Sequence, residues 1–360
     1  MTRIRATLPG QSMAAILIAF GLGMLASVVR GERAPAPRCL NIRFEVGEDQ
    51  QAVALLRRML LLGRKGCLIL SGRLSLTAPL RITAANSGLR IYSSQKEPSI
   101  LVATRGAIRG IEIVGASDVV VEGIKLTGFA RDGIFASNSR NLTIKSVTVS
   151  ETGATGWSQG GIHLTGTSTG AVVEANTVDG SDYAGIIVDT DNNSDVSHVI
   201  IRSNRVQRSC QRIFDCGAIY VNDRGRRSSK ILIADNVIAD FGPASVEGRG
   251  IYLDDWASHV TVRGNRIAGP GHFAFQIHGG HDNRIAGNHI DMNGIISPLL
   301  YQAAIDGTRA LMTGNILIDN VFDHQTSRNA AFAFREQSGA GAVRFKGNQQ
   351  CIVGRCASIP

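Results

Sequence analysis

Aromatic residues are scarce, at 5% of 360 residues, and they do not accompany the Arg residues that dominate a formal net charge of +9. A single-stranded nucleic-acid surface needs stacking rings beside its cations, so no nucleic-acid partner is expected; the charge reads either as a generally basic surface or as attraction to another polyanion, and an acidic polysaccharide fits the rest of the sequence better. Pro is equally scarce at 9 against 41 Gly, the balance of a chain built from short strands and tight turns. No C-x-x-C pair and no paired His beside a Cys is present, which argues against zinc. A D-x-D-x-D-G loop is absent too. Asp189, Asp191, Asp254 and Asp255 are the oxygen ligands a Ca2+ would have to use, and no other cofactor is implied.

Arg3 and Arg5 precede an uncharged run from Gln11 to Val29, which Arg30, Glu32 and Arg33 stop. A positive n-region followed by a short apolar core reads as a secretory signal. The run falls short of the ~20 residues of a full span, and with no clean A-x-A site an uncleaved anchor is the alternative. Either way the body is expected outside the cytoplasm, periplasmic or secreted, touching a membrane only through such an anchor. An even number of cysteines in an exported chain points to disulfides, and Cys39–Cys67, Cys210–Cys216 and Cys351–Cys356 each flank a cap or loop.

The body of the chain is repetitive. Ala218-Ile219-Tyr220-Val221-Asn222-Asp223 recurs as Gly250-Ile251-Tyr252-Leu253-Asp254-Asp255 and as Ala274-Phe275-Gln276-Ile277-His278-Gly279. The strands that follow, Ile231–Asn236, Val260–Asn265 and Arg284–Asn288, repeat as well. Self-similarity at this scale is the mark of a solenoid. Coils open near Gly110, Gly133, Gly161, Gly185, Ala218, Gly250, Ala274, Ala304 and Ala331. Near their ends stand Asn176, Asn204, Asn236, Asn265, Asn288, Asn320 and Asn348, which can hydrogen-bond from coil to coil as a ladder. Apolar alternation of period 2 without intervening helices argues against a doubly wound α/β fold. The chain resembles the right-handed parallel β-helix proteins of the pectin-lyase-like superfamily over roughly Cys67 to Asn348. More narrowly, Gly217–Tyr220, Gly250–Asp255 with Ala257-Ser258, Val260–Asn265 and Gly279–Asn283 are similar to carbohydrate-processing β-helix glycosidases.

The expected organisation is a signal over 1–30 and a linker with a capping helix over 31–66. An all-β solenoid follows over 67–350, with a C-terminal cap over 351–360. The helix runs from Asp49 to Leu62, with Gly63 as its stop; Leu56 and Leu60 lie on its apolar face and Arg57 and Arg58 on its wet side. Such a helix would seal the open end of the first coil.

Strand parity sorts each opening step. Ile134, Ile162, Ile186, Ile219, Ile251 and Phe275 face the core, as do Ala136, Leu164, Val188, Val221, Leu253 and Ile277. The opposite face carries Phe135, His163, Ile187, Tyr220, Tyr252 and Gln276 in one column and Ser137, Thr165, Asp189, Asn222, Asp254 and His278 in the next. Tyr rings offer sugars a flat apolar face and a hydroxyl, so His163, Tyr220, Asn222, Arg224, Tyr252 and His278 are the candidate substrate-binding residues. Coils rise by about 4.8 Å. Asp223 and Asp255 on adjacent coils are therefore expected near the about 5 Å carboxylate spacing of retaining glycosidases, and Asp189 and Asp254, two coils apart, near the inverting spacing. These four are the candidate catalytic acids and bases. A lyase or uronate epimerase would instead use His163, Tyr220, Tyr252 or His278 as base, with the turn Arg224, Arg226, Arg227 and Lys230 as cation. Carboxylates outnumber such base–cation pairs, which favours a hydrolase. A non-catalytic polysaccharide-binding scaffold would use the same groove without chemistry.

Overall fold

The computed structural model describes residues 39–43, 54, 56–58, 60, 66–104, 106–303, 312–325, 335–336 and 343–359. All of them belong to the unit Pro37–Pro360. The expected signal and the openings near Ala304 and Ala331 lie outside the described residues. No helix among them is long and apolar enough to cross a membrane.

The described strands form three parallel sheets of 12, 10 and 12 strands, each coil adding one strand to each sheet in turn. The chain is thus an all-β parallel solenoid. The ten-stranded sheet contains Asp132–Ser137, Gly160–Thr165, Ala184–Val188, Cys216–Asn222, Gly248–Asp254, Gly271–His278 and Ile295–Gln302. Its pairing matches the sequence columns: Ile134 lies beside Ile162, Ile186 beside Ile219, and Tyr220 beside Tyr252. Both inward columns are fully buried, from Ile134 and Ala136 to Phe275 and Ile277. One opening differs from expectation. After Gly271–His278 the next strand of this sheet is Ile295–Gln302, where Ser297 and Pro298 replace the small opening residue that marks the other coils.

The small residue itself has a steric cause. A Cβ added to Gly133 would come within 2.3 Å of Val149, and one at Gly161 within 2.4 Å of Val178. That position faces inward, and so does the Ile that follows it. The strict alternation of the strand is therefore reset at each coil opening, as at a bulge.

The Asn ladder runs unbroken from Asn176 through Asn204, Asn236, Asn265, Asn288 and Asn320 to Asn348, each amide donating to the next side chain at 2.9 Å. The residue before each rung is left-handed, as at Asp235 (φ 57°) and Gly264 (φ 65°), which explains the Asp-Asn and Gly-Asn pairs in the repeat. Asn236 accepts from the backbone and side chain of Asn204 and donates to Ile201 and Asn265. Asn236→Ala should strand these buried partners and lower stability by at least about 2 kcal/mol, measured as a fall in the urea midpoint.

Residues outside the parallel coils lie at both ends of the stack. Residues 54, 56–58 and 60 are helical, with Leu56 and Leu60 buried in the solenoid core. Arg57 donates to the Ala78 carbonyl, and Asn86 donates to that of Leu60. The proposed helix caps Asp49 and Gly63 are outside the described residues. At the other end Arg355–Ser358 turns back antiparallel on Gln349–Ile352, joined by Cys351–Cys356. The disulfides Cys39–Cys67 and Cys210–Cys216 are also formed.

Candidate active site

Where it carries Tyr220 and Tyr252, the outward face of the ten-stranded sheet is not open to solvent. Tyr183, Ile187, Tyr220 and Tyr252 form a second apolar cluster with Cys210, Cys216 and Val246, separate from the solenoid core. Tyr220 and Tyr252 meet edge to face with centroids 5.1 Å apart, a favourable aromatic geometry. The loop closed by Cys210–Cys216 lies against them: Tyr183 donates to the Asp215 carbonyl at 2.9 Å and Tyr252 to its carboxylate at 3.3 Å. The sequence columns are therefore correct in direction, but loops bury most of their members.

Beside this cluster is a cavity of about 400 Å3, lined by Phe214, Asp215, Arg224, Glu247, Arg249, Tyr252, Asp254, Asp255, His278, Leu300 and Gln302. Asp254 is part of its wall. One carboxylate oxygen accepts from the Tyr220 hydroxyl at 2.5 Å, and the other is 2.6 Å from His278 Nδ1. Burial pushes the Asp254 carboxyl up, but His278 and the two Tyr hydroxyls outweigh it and hold the group below the ordinary range. His278 moves the opposite way. Burial disfavours its charge, yet the bond to Asp254 and the nearby carboxylates raise its pKa above 6.5. Its Nε2 is buried and has no hydrogen-bond partner.

Two cations and two further carboxylates complete the cavity. Arg224 donates to Asp255 at 2.6 Å. Burial and the charge of Asp254 raise Asp255 above the usual carboxylate range, and they raise Asp215 likewise. Arg249 is buried, bonded to Gln276 and to the Glu247 carbonyl, with its guanidinium 4.9 Å from the Tyr252 ring centroid. Burial keeps the Tyr220 and Tyr252 hydroxyls protonated far above their ordinary range. Asp254, Asp255 and His278 offer ligand atoms within 4.8 Å of one another, as do the more exposed His259, His281 and Asp282. Both sets mix nitrogen with oxygen, unlike the all-oxygen shell that Ca2+ prefers.

The remaining sequence candidates lie elsewhere. The Asp223 carboxylate accepts from Ser229 at 3.0 Å and from the Arg227 backbone at 3.2 Å, so it closes its own turn and does not line the cavity. Asn222 is buried and accepts from the Thr190 backbone at 2.8 Å, tying one coil to the next. Arg226 stacks on Trp256, 4.0 Å from its ring centroid. Asp189 and Asp191 line a second, more polar cavity of about 410 Å3 with Ser137, Thr165 and Thr190, which meets the first only at Arg224. His163 is sealed between Asp132 (3.2 Å) and Asp189 (3.0 Å), with Arg109 donating to Asp132 at 2.9 Å.

Sequence parity missed Arg249, Asp215 and Asp132. Arg249 and Asp132 each stand directly before an opening Gly. Because the alternation resets at Gly250 and Gly133, they face outward where simple parity places them inward. The residue preceding the small opening residue was the usable signal.

A sequence-family model described as a right-handed beta helix region matches residues 81–206 and 161–352. No curated protein sequence matches the chain. Among solved structures it is similar to the A-module of the Azotobacter vinelandii mannuronan C-5 epimerase, at TM-score 0.59 and 18% identity over 85% of this chain and 94% of that one. It is also similar to an alginate lyase from Paenibacillus sp., at TM-score 0.55 and 14% identity over 86% and 98%. A GH87 alpha-1,3-glucanase catalytic unit from Streptomyces thermodiastaticus matches at TM-score 0.53 and 14% identity over 89% and 70%. At these identities the likeness is one of fold. Its family match, parallel sheets and Asn ladder agree: the chain belongs to the right-handed β-helix family.

Proposed function

We propose that this chain is an exported polysaccharide-active enzyme that removes the C5 proton of a uronate residue, ending in elimination or in inversion at that carbon. The observation that carries this reading is the Asp254–His278 pair, with Nε2 unpaired, on the wall of a cavity that also holds Arg224 and Arg249. Abstraction of a proton next to a carboxylate needs a base and a cation to hold the developing negative charge, and the cavity supplies both. Neutral His278 takes the C5 proton on Nε2, which the substrate reaches by displacing the side chains that bury it, while Asp254 holds the ring through Nδ1. Arg249 or Arg224 neutralises the uronate carboxylate. In elimination the C4–O bond breaks, a C4–C5 double bond forms, and the leaving oxygen receives the Tyr252 proton. In inversion the Tyr252 hydroxyl gives its proton to C5 from the opposite face, and the His278 imidazolium reprotonates it through solvent. Two of the fold relatives are named for a mannuronan epimerase and an alginate lyase, which supports a uronate substrate.

Hydrolysis is the second reading, favoured by the adjacent carboxylates of Asp254 and Asp255 in one cavity. Asp255, raised above the usual carboxylate range, would then be the acid and Asp254, held ionised by His278, its partner, while the Arg224 bond to Asp255 works against that protonation. Incubation with alginate, polygalacturonate and a neutral glucan in D2O separates the two. Unsaturated uronate absorbance or deuterium at C5 is expected. New reducing ends without either signal would establish hydrolysis, and binding without turnover a scaffold.

A further inference from the structure

The two most exposed large aromatic side chains near the site touch each other. Trp157 and Phe214 are each 59% exposed, and their rings meet edge to face at 5.7 Å. Each sits on a loop leading into the ten-stranded sheet: Trp157 precedes the strand Gly160–Thr165, and Phe214 lies within the disulfide-closed loop before Cys216–Asn222. Those strands are two coils apart, about 10 Å along the solenoid. Phe214 is also a wall of the Asp254 cavity. Leaving rings of this size in water forgoes burial worth about 1.5 to 3 kcal/mol each, in a chain with only two Trp. The tyrosines of this face are covered: Tyr183, Tyr220 and Tyr252 are all buried.

The loops that carry them are anchored. Ile213, next to Phe214, packs against the outer apolar cluster, and Arg212 pairs with Asp182. Gly153 and Ala154 donate to the backbone of Arg131 and Ala130, and Thr155 bonds Gln159 at 2.7 Å. The rings thus form a fixed ledge continuous with the cavity.

We propose that Trp157 and Phe214 form a stacking platform for a sugar residue of the polymer lying outside the reactive cavity, so that the enzyme prefers long chains to short oligosaccharides. This rests on the reading of the cavity as a polysaccharide site. Sugar rings present C–H faces that stack on such side chains, and the platform carries no charge, so it recognises ring shape rather than the uronate carboxylate.

The test uses the full chain. Trp157→Ala should raise KM for polymeric substrate about fivefold with kcat nearly unchanged, leave the shortest cleaved oligosaccharide unaffected, and be rescued by Trp157→Tyr. In a His278→Ala background, alginate should alter the tryptophan emission, and Trp157→Phe should remove that change. An unaltered chain-length preference in Trp157→Ala would overturn the platform while leaving the C5 chemistry intact. A Trp157-dependent emission change with a neutral glucan, from a protein that processes no polyuronate, would sink the C5 reading and uphold the platform.

Discussion

His278→Gln should lower kcat on the responsive polyuronate by about 10^3-fold, the usual worth of a positioned general base, with little change in folding. Gln retains a polar group beside Asp254 but cannot accept the C5 proton. The pH dependence identifies the role more sharply than the loss of rate. Only neutral imidazole is a base, and Asp254 holds the His278 pKa above 6.5. The kcat/KM of the native enzyme should therefore rise with pH through a value above 6.5. Asp254→Asn removes the charge that supports the imidazolium, so the limb should move to lower pH even as the rate falls. A His278 that merely packs would leave that limb in place in Asp254→Asn, and that result would remove the base assignment.

The second large effect is on stability. Asp132→Ala should destabilise the fold by roughly 3 to 5 kcal/mol, because it leaves a buried imidazolium and the Arg109 guanidinium short of a carboxylate. Burial lowers the His163 pKa, but Asp189 and Asp132 more than reverse this and bring it to about 9. A folded-state pKa raised above the unfolded value gives stability that is full below about 6.5 and lost as pH rises through about 9, some 3 kcal/mol in all. The partners Asp132 and Asp189 are held below their ordinary range, so their contribution is present above about 4 and fades as pH falls through their depressed values. Urea midpoints between pH 6 and pH 10 should fall across the alkaline part of that range, and less steeply in Asp132→Asn. A midpoint unchanged by either substitution would show that the pair contributes nothing net.

What could be read from the sequence follows from periodicity. The inward columns, the Asn ladder and the pairing of Tyr220 with Tyr252 all depend on period-2 alternation within strands and on repetition between coils, and both are visible in the residues. The site is less legible because its decisive parts break the repeat. Asp215 and Phe214 sit in an insertion closed by a disulfide, where no periodic rule applies. Arg249 and Asp132 were hidden by the reset of alternation at the opening glycine. Asp223 looked equivalent to Asp255 because the two occupy matching positions, yet the turn after Asp223 folds back and takes its carboxylate for Ser229 and Arg227. Matching positions in a repeat guarantee matching backbone, not matching partners.

The ladder has a consequence for how such a molecule can change. Successive rungs are separated by as few as 23 residues, between Asn265 and Asn288, and as many as 32, between Asn204 and Asn236. The vertical rise per coil stays at about 4.8 Å regardless. The solenoid therefore behaves as a ruler with fixed graduations, and residues can be added to or taken from a loop without displacing any graduation. The Asp254–His278 pair spans one graduation and the aromatic ledge two. On the proposed function, catalytic geometry and substrate reach are then set by separate, discrete increments, and the second can drift while the first stays fixed.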